Sequence, residues 1–162
     1  MKDAKIWEAV EAREIAEELI PKHHTRLVDH PILGDARLLY LFTDRKRKKG
    51  NRVTLGTAAK LPALQRYLSR SSPHNSASEA HFILLFSYLE WELLDEEQQV
   101  ALVDHELCHC TVRTGKDFKS RWAIREHDVE EFAEVIQRHG LWKSDLAEMG
   151  QAMQQLPMRL GV

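Results

Sequence analysis

The sequence predicts an α+β fold, a small mixed or antiparallel sheet packed on a central helix, with further helices around it. Two observations carry this. Runs of strand length and strand composition, at residues 36–43, 52–57 and 81–87, alternate with longer stretches of helical periodicity. The central helical stretch opens on a capping signature, Asp95 with Gln98 three residues on, and then carries Asp104-His105-Glu106-Leu107-Cys108-His109-Cys110.

Length and composition set the frame. With 162 residues, 43% hydrophobic and 30% charged, the chain reads as one domain over 1–162 with a sizeable core. A net charge of −2 does not call for a nucleic-acid or membrane partner. Met1-Lys2-Asp3 runs straight into a charged amphipathic segment, so no signal peptide is expected. No apolar run approaches the ~20 residues of a membrane span. Cys108 and Cys110 are two apart on one predicted helix and are poorly placed to bridge. The expectation is a cytoplasmic protein in a reducing compartment.

Along the chain, Ile6, Ala9, Val10, Ala16, Leu19 and Ile20 predict an N-terminal helix over about 3–20, stopped by Pro21. His23, His24 and His30 follow at irregular spacing and read as part of a solvated loop. Residues 36–43 read as a strand, and 52–57 as its returning partner in a hairpin. The basic tip of that hairpin, from Arg45 to Arg52, is the one feature that a nucleic acid could meet; a solvated turn is the expected reading, because no aromatic is interleaved to stack on bases. Residues 61–70 predict a short helix with Pro62 in its first turn, and the Ser-rich 69–78 a loop. His81-Phe82-Ile83-Leu84-Leu85-Phe86-Ser87 holds a continuous apolar run between its first and last residues, as in a strand covered on both faces.

The helix that begins at Asp95 is predicted to run to about Arg113. Val100, Val103, Leu107 and Cys110 form one apolar stripe, and Leu102, His105, His109 and Val112 lie roughly opposite. On this wheel Cys110 belongs to the core and Cys108 lies off the histidine face, so both read as structural. A further helix carries Val129, Phe132, Ala133 and Ile136, and the tail is helical over 144–156.

Within this frame His-Glu-x-x-His gains meaning. Histidines four apart share a helix face, so both imidazoles can reach one tetrahedral Zn²⁺, and the adjacent glutamate can act on its water. Alone the pattern arises by chance in roughly one such chain in twenty. A catalytic zinc needs a third protein ligand. Val112 and Gly115 occupy the positions where an extended His-x-x-Gly-x-x-His pattern needs Gly and His, so the third ligand comes from a later element. Glu126, His127, Asp128, Glu130 and Glu131 are the candidates. Asp128 and Glu131 form their own capping-box pattern, which places His127 just ahead of a helix. His127 is favoured, with Glu126 or Glu130 as the alternatives.

Trp91-Glu92-Leu93-Leu94-Asp95-Glu96-Glu97-Gln98, the His105 to His109 motif, His127-Asp128-Val129-Glu130-Glu131-Phe132, Arg138-His139-Gly140-Leu141-Trp142 and the upstream Leu55-Gly56-Thr57-Ala58 together resemble the phage metallopeptidase family, over roughly 35–145. The pattern is also similar to that of SprT-like and WLM-type proteases. The resemblance implies a zincin-like fold, a zinc cofactor, a histidine third ligand at His127, a protein or peptide substrate and, for a phage-encoded protein, the host-cell cytoplasm. It implies that the strand before the zinc helix, 82–86, is the edge that pairs with substrate. The metal ligands are then His105, His109 and His127, with Glu106 as general base. A group that stabilises the oxyanion is expected, with Arg125, His139 and Tyr88 as candidates. The competing reading is a non-enzymatic, zinc-stapled binding protein for nucleic acid or a host protein. Structural zinc sites tend to be closed by four ligands, and only three align here.

Overall fold

The computed structural model describes residues 3–71, 79–142 and 144–156, and its contacts divide the chain into two units, Met1–Arg125 and Glu126–Val162. The architecture is α+β, with six α-helices and three small sheets among the described residues.

The first unit opens with strand β1 (Ile6–Glu8) and helix α1 (Val10–His23). The predicted single helix over 3–20 is thus corrected at both ends. Ile6 to Glu8 pair with a strand instead, and Pro21 is accommodated inside α1. Strand β2 (Leu38–Thr43) follows, then β3 (Arg47–Lys49), β4 (Arg52–Thr54), β5 (Gly56–Lys60), helix α2 (Ala63–Leu68), strand β6 (Phe82–Ser87) and the short α3 (Tyr88–Trp91). Pro62 is the N-cap of α2. The loop predicted over 69–78 lies, beyond Ser71, outside the described residues.

The main sheet has the order β1-β2-β6-β5. β2 runs parallel to β6, with Leu38 opposite Phe82 and Phe42 opposite Phe86, and β5 runs antiparallel to β6. Two expectations change here. β2 does not return through residues 52–57; the basic hairpin is the separate β3–β4 pair, turned at Gly50 with φ +62°, and β5 joins β6. β6 is therefore interior, and the terminal strand beside it is β5. The cause is that β6 is the most apolar strand. Phe82, Leu84 and Phe86 are fully buried on one face, and Ile83 and Leu85 half-buried on the other. Burial of each phenylalanine contributes about 2–3 kcal/mol, which an edge position would partly forgo. Phe42, Phe86 and Trp91 meet edge to face, with Trp91 5.4 Å from each phenylalanine ring.

Helix α4 (Glu96–His109) packs Val103 and Leu107 into this core. The capping box is formed: Asp95 Oδ1 accepts from the Gln98 N–H at 2.8 Å, and the Asp95 N–H donates to Gln98 Oε1 at 3.0 Å. Glu96 and Glu97 in the first turn suit the positive end of the helix dipole. The helix stops at His109, four residues short of the predicted Arg113. Cys110 is extended (φ −82°, ψ 120°) and opens β7 (Cys110–Thr114), which forms a hairpin with β8 (Ser120–Ile124).

The second unit, considered by itself, holds α5 (Ala133–His139) and α6 (Ser144–Gln154). Gly140, at φ +67°, ends α5 in the left-handed region that glycine favours. Leu146 is buried, and Leu141 packs against Gly150 where a side chain would collide with it. The predicted cap at Asp128 is corrected: α5 begins five residues later, its N-cap is Phe132, and no side chain caps it. Among the described residues no helix is long and apolar enough to cross a membrane.

Candidate metal and catalytic site

His105 and His109 lie one turn apart at the C-terminal end of α4, with ring centroids 5.2 Å apart. His105 is exposed and His109 half-buried, so the histidine face is less covered than its apolar neighbours Leu102 and Val112 suggested. Glu106, between them in sequence, is only 4% exposed. Burial pushes its carboxyl above the usual range, and the charge of His109 pulls the other way.

The His109 ring is held by the end of β8. Its Nδ1 lies 2.6 Å from the Arg125 carbonyl oxygen, and the Arg125 N–H donates to the His109 carbonyl at 2.7 Å. A carbonyl only accepts, so Nδ1 carries a proton, and whenever the ring is neutral Nε2 holds the lone pair. This is the state in which histidine ligates a metal, with the second nitrogen given to a backbone acceptor. The donor set on α4 therefore fits a borderline divalent cation.

Glu106 is approached closely by β5. A Cβ on Gly56 would stand 3.1 Å from Glu106 Oε1 and 3.0 Å from the buried Phe86 ring. Only glycine lets the strand pass there undisturbed. The Leu55-Gly56-Thr57-Ala58 stretch marked the place in the sequence, but its spatial neighbour was not readable.

Behind the motif stands a second layer that the sequence did not reveal. Arg26 donates through Nε to the Cys110 carbonyl (2.9 Å) and through Nη2 to the Leu107 carbonyl (2.8 Å), closing carbonyls that the end of α4 leaves open. Its Nη1 lies 3.0 Å from His24 Nδ1, and His24 Nε2 lies 2.6 Å from Asp104 Oδ1. Arginine has no acceptor, so His24 accepts at Nδ1 and donates from Nε2 to the carboxylate. His24, read as part of a solvated loop, is 2% exposed and anchors the residue before His105. His24, Asp104 and Cys108 also bring ligand atoms within 4.8 Å of one another, but this hydrogen bonding already engages the His24 ring. Cys110 is the core residue that its place on the apolar stripe predicted, and burial pushes its thiol up to about 12, whereas Cys108, read as structural, is exposed.

His127 belongs to the second unit, in the non-helical stretch before α5, together with Glu126, Asp128, Glu130 and Glu131. None of them has the helical phase by which they were compared in the sequence. Of the groups considered for an oxyanion, Tyr88 packs its ring edgewise on Trp7 (5.2 Å) and Phe42 (5.3 Å). In the basic hairpin and the turn leading into it, Lys46 pairs with Glu90 at 3.2 Å and Arg47 donates to Thr57 at 2.9 Å.

A family model described as "Putative phage metallopeptidase" matches residues 4–154. Neither the curated proteins nor the solved structures give a significant match.

Proposed function

The chain belongs to the phage metallopeptidase family matched over residues 4–154, and from that premise we propose a zinc-dependent peptidase whose ligands are His105, His109 and His127 and whose general base is Glu106. The family implies a metal and a protein or peptide substrate; the choice of zinc, the ligands and the role of Glu106 are the proposal. The first unit, a mixed sheet packed on the helix of the motif, is read as zincin-like.

The observation that carries the reading is the His109 ring, with Nδ1 given to the Arg125 carbonyl, beside a glutamate that burial holds toward its neutral form. His127 follows Arg125 by two residues, so its Cα lies within about 7 Å of that of Arg125 whatever the backbone between them does. Arg125 is fastened to His109, and that tether supports His127 over Glu130, which lies five residues on.

Bound by three neutral imidazoles, zinc would acidify a water and polarise the scissile carbonyl. The chain's own residues do the rest. Glu106 accepts the proton of the attacking water and returns it to the leaving amine nitrogen, so the carboxylate is regenerated as the C–N bond breaks. Desolvation raises its basicity, which favours taking the proton from the water. The Arg125 carbonyl keeps His109 in one tautomer, and Arg26 and His24 fix the end of α4.

The ligand assignment is tested by zinc affinity in His127→Ala, Glu126→Ala and Glu130→Ala, measured by chelator competition. The expected result is a loss in His127→Ala alone. A loss in Glu130→Ala or Glu126→Ala with His127→Ala unaffected would replace the third ligand.

A further inference from the structure

A cavity of about 270 Å³ opens in the first unit between the C-terminal end of β5 and the β7–β8 hairpin. Lys60, Arg66 and Arg121 line it, with His81 and the almost buried Trp122. Three cations face one space, and of these only Arg121 has an acidic partner among the ion pairs described, Asp117. Arg66 is the telling member: its Nε is buried and meets no hydrogen-bond acceptor. A buried guanidinium donor left without a partner costs about 1–3 kcal/mol, and among the described ion pairs no acid balances the Arg66 charge, so an anion in the cavity would supply that balance.

The place of this cavity along β5 gives it a substrate. Ser87 N–H donates to the Leu55 carbonyl and Leu61 N–H to the His81 carbonyl, so the pairs 55/87 and 61/81 are hydrogen-bonded ones. In an antiparallel ladder these alternate with pairs whose N–H and C=O point away. The backbone groups of Gly56, Ala58 and Lys60 therefore face outward from the terminal strand of the sheet. The three side-chain positions share one face. Gly56 is the residue against Glu106, and Lys60 lines the cavity. Four residues of strand separate them by about 13 Å.

We propose that this cavity is an anion subsite, which takes the carboxylate of an acidic residue about three or four positions from the scissile bond of an extended peptide lying along β5. The inference rests on the peptidase reading of Glu106. Lys60 and Arg66 give the acidic residue's carboxylate charge-assisted partners. Burial first, then Arg37 and Arg66, hold the His81 ring down to about 4, so near neutral pH the positive charge of the cavity comes from Lys60, Arg66 and Arg121. A peptide is favoured over a nucleic acid because the cavity holds one anion, not a track of phosphates. Its aromatic is also 7% exposed and offers no stacking platform.

The test is the cleavage profile of a proteome-derived peptide library by the zinc-loaded protein, beside Arg66→Gln, Lys60→Gln and, as a charge control on α1, Lys22→Gln. The expected profile is enriched in Asp or Glu three or four residues from the cut, on one side only. The ratio of acidic to neutral substrates should fall about tenfold in Arg66→Gln and in Lys60→Gln but not in the control. A flat profile, or an enrichment that survives both variants, overturns the subsite while leaving the peptidase intact. If the wild type cleaves nothing, the peptidase reading fails. The subsite is then read by titrating the Arg66 Nε–H resonance with tetraglutamate and with a ten-nucleotide oligothymidylate. A shift with tetraglutamate that Lys60→Gln weakens upholds the anion subsite. No shift, or displacement of the peptide by the oligonucleotide, overturns it.

Discussion

His109 and Arg125 grip each other at two points, ring Nδ1 to carbonyl at 2.6 Å and amide N–H to carbonyl at 2.7 Å, so the end of β8 sets the orientation of a histidine on α4. Position 125 continues the β7–β8 register in which Cys110 stands opposite Ile124. Arg125→Pro removes the amide donor and loosens the grip. Zinc affinity should fall about 10–100-fold, the usual effect of losing support behind a ligand. Unchanged affinity in a chelator competition would mean that the ring needs no such support.

Gly56→Ala should be poorly tolerated although the backbone there is ordinary. The new methyl meets Phe86 at 3.0 Å and Glu106 at 3.1 Å, and Phe86 is fully buried and cannot retreat freely. The expected cost is about 1–3 kcal/mol in urea unfolding, with a loss of peptidase rate at temperatures where the variant stays folded. A variant as stable and as active as the parent would show that β5 and Glu106 have room to separate.

Arg26→Met removes the donors to the Leu107 and Cys110 carbonyls and the partner of His24 at once. A destabilisation of about 3 kcal/mol is expected by denaturant titration. Arg26→Lys should recover only part of it, because an ammonium cannot reproduce the guanidinium fork. Full recovery by lysine would reduce the role of Arg26 to its charge.

His81 supplies a pH dependence with a definite sign. Its folded-state value is depressed to about 4, by burial first and then by Arg37 and Arg66, whereas an unfolded histidine titrates near 6.5. Between these values the unfolded chain binds more protons, so stability is full above about 6.5 and falls as pH drops toward 4. His81→Gln should flatten that part of the stability profile relative to the parent. Parallel profiles for the two proteins over this window would contradict the assignment.

How much of this was legible in the sequence depended on distance along the chain. The start of α4 was readable because Asp95 and Gln98 complete their bonds within one turn. Its end was not: Cys110-Thr111-Val112-Arg113-Thr114 satisfies helical phase through Cys110 and Val112, yet its β-branched residues pair with 120–124. β6 was readable from its apolar composition, but its parallel pairing with β2, 44 residues away in register (Leu38 with Phe82), leaves no local mark. The Asp128 to Glu131 pattern misled because Asp-x-x-Glu signals a cap only where a helix continues from it, and here the helix waits until Ala133. His24 misled in the other sense: its partners Arg26 and Asp104 come from a neighbouring turn and a distant helix. His105, Glu106 and His109 were legible throughout, because one helical turn fixes their relation.

The central claim is that Glu106 moves the proton in a metal-dependent peptide cleavage. The most direct measurement is the cleavage rate of zinc-loaded Glu106→Gln beside the parent on the same peptide library, with metal content determined for both. Equal metal content with a rate reduced at least about 100-fold is the predicted result. Equal rates would remove Glu106 from the mechanism. A parent protein that binds one metal ion and cleaves nothing would contradict the peptidase reading itself and leave a metal-stapled binding protein in its place.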